Sequence, residues 1–99
     1  MDTTPVTVIA RARARSGAET ELRDLLLTLV EPTRLEPGCL QYEFYQSTDD
    51  PSAFAFIETW RSSADLERHL ASPHLQGVLL QAMGLISGAP EITQWNAVR

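Results

Sequence analysis

The order of strand and helix signals along these 99 residues predicts an α+β fold of the ferredoxin-like, split βαβ type. Such a fold carries a four-stranded antiparallel sheet with helices on one face. Three observations predict it. Strand-like segments stand at the start, in the middle as a pair, and at the end. Two helical stretches lie between them, with apolar residues at helical spacing behind serine caps. Turn and breaker residues fall between these segments, at Ser16-Gly17, Pro37-Gly38, Asp49-Asp50-Pro51, Ser72-Pro73 and Gly88-Ala89-Pro90.

Residues 6–15 alternate as a half-buried strand: Val6, Val8, Ala10, Ala12 and Ala14 point one way, and Thr7, Ile9, Arg11, Arg13 and Arg15 the other. Ser16 with Glu19 three later has the pattern of a capping box. Leu22, Leu25, Leu26 and Leu29 then mark a helix, which Pro32 should kink or end and Pro37-Gly38 should stop. Residues 40–47 form a second strand with Leu40, Tyr42 and Phe44 on one face. In the third strand, residues 53–61, Phe54, Phe56, Glu58 and Trp60 share a face opposite Ala53, Ala55, Ile57 and Thr59. Ser62, with Asp65 three later, caps the next helix. Ser72-Pro73 restarts a helix with Pro in its first turn, and Leu75, Val78, Leu79, Ala82 and Met83 give its apolar stripe. Residues 92–98 complete the sheet.

No linker, repeat or low-complexity tract divides the chain, so residues 1–99 read as one domain. The hydrophobic share of 43% is that of a folded globule. No apolar run reaches the roughly 20 residues a membrane span needs, and the first residues lack a signal-peptide pattern. The expectation is a cytoplasmic protein with no membrane partner. The net charge of -5, with arginine as the sole source of cationic side chains, argues against nucleic acid. Arg11, Arg13 and Arg15 read as an interface or solvent feature. One cysteine, Cys39, excludes an internal disulfide and fits a buried structural thiol. The sheet face with Thr7, Ile9, Ala53, Ala55 and Ile57 is left open. An apolar face on so small a domain implies a second copy packed sheet to sheet, a homodimer.

The chemistry-bearing residues cluster in one run. His69 sits among the apolar positions of its helix, turned toward the sheet face that holds Glu58 and Trp60. Tyr42, Phe44, Phe54 and Phe56 line the same space, giving an aromatic-walled pocket suited to a flat phenolic ligand. Two readings of His69 stay open here. It is either a core histidine satisfied by one carbonyl or carboxylate, with Glu58 as that partner, or a functional base. Trp60, Phe54 and Phe56 are core by default. Glu58, between Phe56 and Trp60 on a buried face, is costly unless paired or used. His74 reads as exposed near a helix N-terminus, with the pocket mouth as its other reading. Two histidines five apart lack the same-face spacing of a helical zinc pair, and no nearby carboxylate completes a site. A phosphate loop, a Gly-x-Ser-x-Gly elbow and a flavin or nicotinamide site are equally without support. The expectation is therefore no cofactor and no metal.

The run from Ile57 to Leu75 has the pattern E-x-W-x-S-x-x-x-L-x-x-H-L-x-[ST]-P-H. With the opening Val8-Ile9-Ala10 strand, the Gly17 turn and the Glu36-Pro37-Gly38-Cys39 loop, it resembles the antibiotic biosynthesis monooxygenase family, closest to its quinol monooxygenase branch. The resemblance implies a homodimeric α/β barrel with a pocket in each subunit. It implies oxidation of a quinol, anthrone or related polyketide-like aromatic by O2 without metal or flavin. In that scheme His69, oriented by Glu58, removes a phenolic proton. Glu58 and Trp60 share the catalytic set, and Tyr42, Phe44, Phe54, Phe56 and His74 bind substrate. The anthrone-type asparagine and tyrosine are replaced by Phe56 and Leu66, and Asn96 is the sole asparagine, so neither the anthrone nor the haem-degrading pattern is matched. The alternatives are a non-catalytic small-molecule-binding dimer and an isomerase of the same fold.

Overall fold

The computed structural model describes residues 4–99. The chain runs β1 (Val6–Arg13), α1 (Glu19–Leu27), α2 (Val30–Arg34), β2 (Cys39–Gln46), β3 (Ala53–Trp60), α3 (Ser63–Leu70), α4 (Pro73–Ala82) and β4 (Glu91–Trp95). The strands form one four-stranded sheet in the order β2-β3-β1-β4, every neighbour antiparallel. This is the ferredoxin-like α+β arrangement expected from the element order. Among the described residues no helix is long and apolar enough to cross a membrane.

Period-two alternation sets which side chains meet the helices. In β3 the residues alternate strictly between half-buried and buried, and Phe54, Phe56, Glu58 and Trp60 are the buried set. Across the ladder Val8 faces Glu58 and Ala10 faces Phe56. The core between sheet and helices joins Val6, Val8, Leu22, Leu26, Leu29, Tyr42, Leu66, Leu75 and Val78 to these aromatics. The opposite face holds Ile9, Ala53, Ala55 and Ile57, all half-buried.

Several local expectations are corrected. Ser16 does not cap α1. Gly17, at φ 90°, turns the chain so that the helix starts later, at Glu19. The Glu19 carboxylate instead accepts from the Gly17 N–H at 3.0 Å. The end expected at Pro32 is present as a break: α1 stops at Leu27, and Pro32 lies in the first turn of a separate α2. Its ring cannot pack against a helical carbonyl four residues back, and the chain tightens just there, where Thr28 and Leu29 bond back three residues to Leu25 and Leu26. Leu40 does not share a face with Tyr42 and Phe44. A register shift between Cys39 and Gln41 turns it out, and it is 59% exposed. Met83 lies at the C-cap of α4, exposed, and the last strand stops at Trp95.

Gly38 links backbone geometry to packing. Its φ of 84° favours glycine, and a Cβ there would lie 2.3 Å from Asp65 Cγ. Gly17 has a similar φ but open space around it. A Gly38→Ala variant should therefore lose more stability than Gly17→Ala. The second substitution carries only backbone strain of about 1–3 kcal/mol. Urea denaturation of both variants checks this, and equal losses would show that Asp65 yields without cost.

Candidate functional site

The site is assembled by the fit of Gly38 against α3. Asp65, in the first turn of α3, is clamped by Arg61, Arg68 and the Ser62 hydroxyl, each bond at 2.8–3.0 Å. The α2–β2 loop docks onto it through the missing Gly38 side chain, and Gly38 O accepts from Arg61 N at 2.8 Å. His69 lies four residues after Asp65, on the same helix face one turn on. Docking of the loop on Asp65 therefore brings Glu36, two residues before Gly38, to His69.

The two meet closely. His69 Nδ1 lies 2.6 Å from Glu36 Oε2. The same oxygen lies 2.9 Å from Nε2 of His74, which the Ser72-capped, Pro73-started α4 places in its first turn. A carboxylate oxygen accepts, so both imidazoles donate to it. Thr33 Oγ1 and Ser72 Oγ stand 3.3 and 3.4 Å from His74 Nε2. His69 is buried; its ring stacks on Trp60 at 4.6 Å and meets the edge of Tyr42 at 5.6 Å. Burial lowers the His69 pKa, opposed by the Glu36 hydrogen bond and charge. With Nδ1 committed to Glu36, Nε2 is the nitrogen left for a ligand.

Glu58 is not the partner of His69. Its Oε1 accepts from Trp60 Nε1 at 2.9 Å, while the Nδ1 of His69 meets Glu36. Burial raises the Glu58 carboxyl to about 7. The Trp60 bond opposes the shift and the Glu36 charge adds to it. The acid thus sits near its titration midpoint at neutral pH, with no cation paired to it among the described residues. The Tyr42 phenol is pushed well above its usual range, chiefly by burial and then by Glu58.

A cavity of about 280 Å³ opens between helices and sheet. His69 and Glu58 both line it, as do Tyr42, Phe54 and Phe56, while leucines and alanines form most of the remaining wall. Arg11 and Gln76 also line it, and the wall is otherwise apolar, the usual character of a small-molecule site. Three expected site residues do not line it. Trp60 is fully buried behind His69, Phe44 stacks on Phe54 and Phe56 from the β2 side, and His74 reaches the site only through Glu36. Nor is His74 free at the surface. Sequence reasoning missed Glu36, and with it the carboxylate that joins two histidines five residues apart. Its one sequence sign is its place in the Glu36-Pro37-Gly38-Cys39 loop.

Comparison with known proteins is consistent across sequence and structure. The family model described as "Antibiotic biosynthesis monooxygenase" matches residues 5–78. The Mycobacterium tuberculosis protein named "Putative monooxygenase Rv0793" is 38% identical over 92% of this chain and 89% of its own length. The Synechocystis protein sll1783, which carries no functional name, is 31% identical over 89% of this chain, and the chain spans 60% of its length. Among solved structures, PA3566 from Pseudomonas aeruginosa superposes with a TM-score of 0.91 at 36% identity, covering 97% of this chain and 96% of that one.

Glu58 yields a pH test. Its folded pKa lies above the ordinary carboxylate value of 4.5, at about 7, so the unfolded chain gives up this proton first. Stability should fall as pH rises through that window, by about 3 kcal/mol in all. The charged and titratable groups coupled to it are Glu36, Tyr42 and Cys39, and His69 shares its cavity. Glu58→Gln keeps an acceptor for Trp60 but cannot ionise. The variant should match the parent near pH 4.5 and exceed it by about 2–3 kcal/mol at pH 8. Urea titrations across this range decide, and parallel pH profiles would contradict the burial cost.

Proposed function

This chain belongs to the antibiotic biosynthesis monooxygenase family, and we propose that it is a cofactor-independent monooxygenase acting on a small quinol or related aromatic. One observation carries the reading. A buried imidazole that lines an apolar, aromatic-walled cavity has its Nδ1 2.6 Å from a carboxylate oxygen, which leaves Nε2 for a ligand. That is the arrangement of an oriented general base.

In this scheme a dihydroxy-aromatic ring packs among Tyr42, Phe54 and Phe56. His69 Nε2 takes a phenolic proton, and Glu36 holds the ring upright and stabilises the imidazolium that forms. Glu36 thereby takes the orienting role expected of Glu58. The Glu58 carboxyl, at its titration midpoint, offers a hydrogen bond to a second substrate oxygen. Trp60 acts on His69 by stacking and on Glu58 by its N–H, so it positions both. The deprotonated ring is electron-rich and reduces O2 directly. One oxygen atom joins a ring carbon; the other leaves as water with two hydrogens from the substrate, whose ring supplies the electrons. The apolar wall keeps bulk water from the intermediate.

The reading includes a homodimer in which the open sheet face, with Ile9, Ala55 and Ile57, meets its copy across a two-fold axis. Tyr45 and Trp95, each more than half exposed, extend that face through their pairing with Ala55 and Thr7.

Oxygen uptake against a panel of benzo- and naphthohydroquinones tests the chemistry. His69→Ala should lose about 10²–10⁴-fold in turnover, and Glu36→Gln about 10–100-fold, both with circular dichroism unchanged. Turnover that proceeds equally without air would replace this reading with an acid–base isomerase. Binding of the panel without O2 consumption would replace it with a ligand-binding dimer. Sedimentation equilibrium should give twice the chain mass, and Ile57→Arg should yield monomers. A monomeric parent would remove the sheet-to-sheet contact from the account.

A further inference from the structure

We propose that Glu36, His69 and His74 form a binding site for a first-row divalent transition ion such as Zn²⁺ or Co²⁺. The ligand atoms, one from each side chain, lie within 4.8 Å of one another. They arrive from three separate elements: the α2–β2 loop, the last turn of α3 and the first turn of α4. Two imidazole nitrogens already converge on one carboxylate oxygen, at 2.6 and 2.9 Å. Ligands about 2.0–2.2 Å from a tetrahedral zinc stand roughly 3.3 Å apart. At that spacing Glu36 Oε2 would part from His69 Nδ1 by about 0.7 Å and from His74 Nε2 by about 0.4 Å to admit an ion. Two histidines and one carboxylate are the donor set of open, three-ligand zinc sites. Imidazole donors argue against Ca²⁺ and Mg²⁺, which take oxygen ligands.

The surroundings support an ion as well as hydrogen bonds. Glu36 and His69 are held back from solvent, with side-chain exposures of 13% and 2%, while His74 at 29% gives an entry side. The hydroxyls of Thr33 and Ser72 lie 3.3 and 3.4 Å from His74 Nε2, so the ion would take the place of these contacts along with the hydrogen bond to Glu36.

The ion and the hydrogen-bonded triad use the same atoms, so they exclude each other. In the ion-free state Nδ1 of His69 carries the proton and Nε2 keeps a lone pair for a ligand. An ion on Nδ1 moves the ring proton to Nε2, which then donates and cannot act as a base. This consequence rests on the function proposed above; the ion site itself does not.

The test is titration of tag-free, metal-free protein with Co²⁺, followed by visible absorption, and with Zn²⁺, followed by calorimetry. One equivalent should bind with a four- or five-coordinate cobalt spectrum, and Zn²⁺ should raise the melting temperature. His74→Ala and Glu36→Gln should each weaken binding by more than about 100-fold, beyond the cost of losing an outer-shell partner. His74 is part-exposed, so its variant should fold, and circular dichroism checks this. No saturable binding, or binding that both variants leave unchanged, overturns the site. Zn²⁺ should also suppress oxygen uptake by the parent protein and a chelator restore it. Uptake undiminished by bound Zn²⁺ overturns the exclusion of base and ion. If no substrate supports uptake at all, the proposed function fails, while the cobalt spectrum still decides the site.

Discussion

One carboxylate oxygen, Oε2 of Glu36, receives the side-chain nitrogens of both histidines in the chain. Everything that distinguishes this pocket from an ordinary helix–sheet core depends on that shared acceptor. Without it, His69 would be a buried imidazole with neither nitrogen committed, free to turn toward Tyr42 or Trp60. With it, Nδ1 is committed to the carboxylate, and the second nitrogen is left for a ligand. The contact is expensive to arrange. It needs a loop glycine at positive φ, a clear space above Asp65, and two arginines and a serine to keep Asp65 in place. The helix break before Pro73 is part of the same construction, because it turns the chain so that His74 faces back toward the loop.

Glu58 shows the opposite economy. It is buried with one good hydrogen bond, from Trp60, and no paired cation among the described residues. A carboxyl group in that position costs stability whenever it ionises. Its retention on the wall of an otherwise apolar cavity is what a binding function would require, since an apolar residue there would pack at lower cost. The two acids thus divide the work. Glu36 orients a neighbour from outside the cavity, and Glu58 faces the contents from inside it. The single indole of Trp60 touches both arrangements, stacking on His69 and donating to Glu58.

Much of this was legible in the residues alone. Alternation in β3 placed Phe54, Phe56, Glu58 and Trp60 on the core face, and the serine caps at Ser62 and Ser72 held because each hydroxyl has a free N–H three residues on. The position of His69 among helix-face leucines placed it over that sheet. The rest depended on long-range geometry. Leu40 was turned outward by a bulge, which period-two counting cannot anticipate. Ser16 lost its cap because Gly17 bends the chain first. Glu36 was invisible for a different reason. It is separated from His69 by 33 residues, and an acidic residue before Pro-Gly reads as loop polarity until the loop is seen docked on α3. The choice of Glu58 as the histidine's partner followed from sheet adjacency; in the fold Glu58 accepts from the Trp60 indole, and His69 Nδ1 meets Glu36 instead.

The central claim is that Glu36 fixes the His69 tautomer with the proton on Nδ1 and Nε2 bare. Long-range nitrogen–proton NMR of the uniformly ¹⁵N-labelled, ion-free protein at neutral pH reads this directly. The account predicts a protonated Nδ1 and an unprotonated Nε2 for His69, with the pattern lost or mixed in Glu36→Gln. A proton on Nε2, or a spectrum indifferent to Glu36, would contradict it.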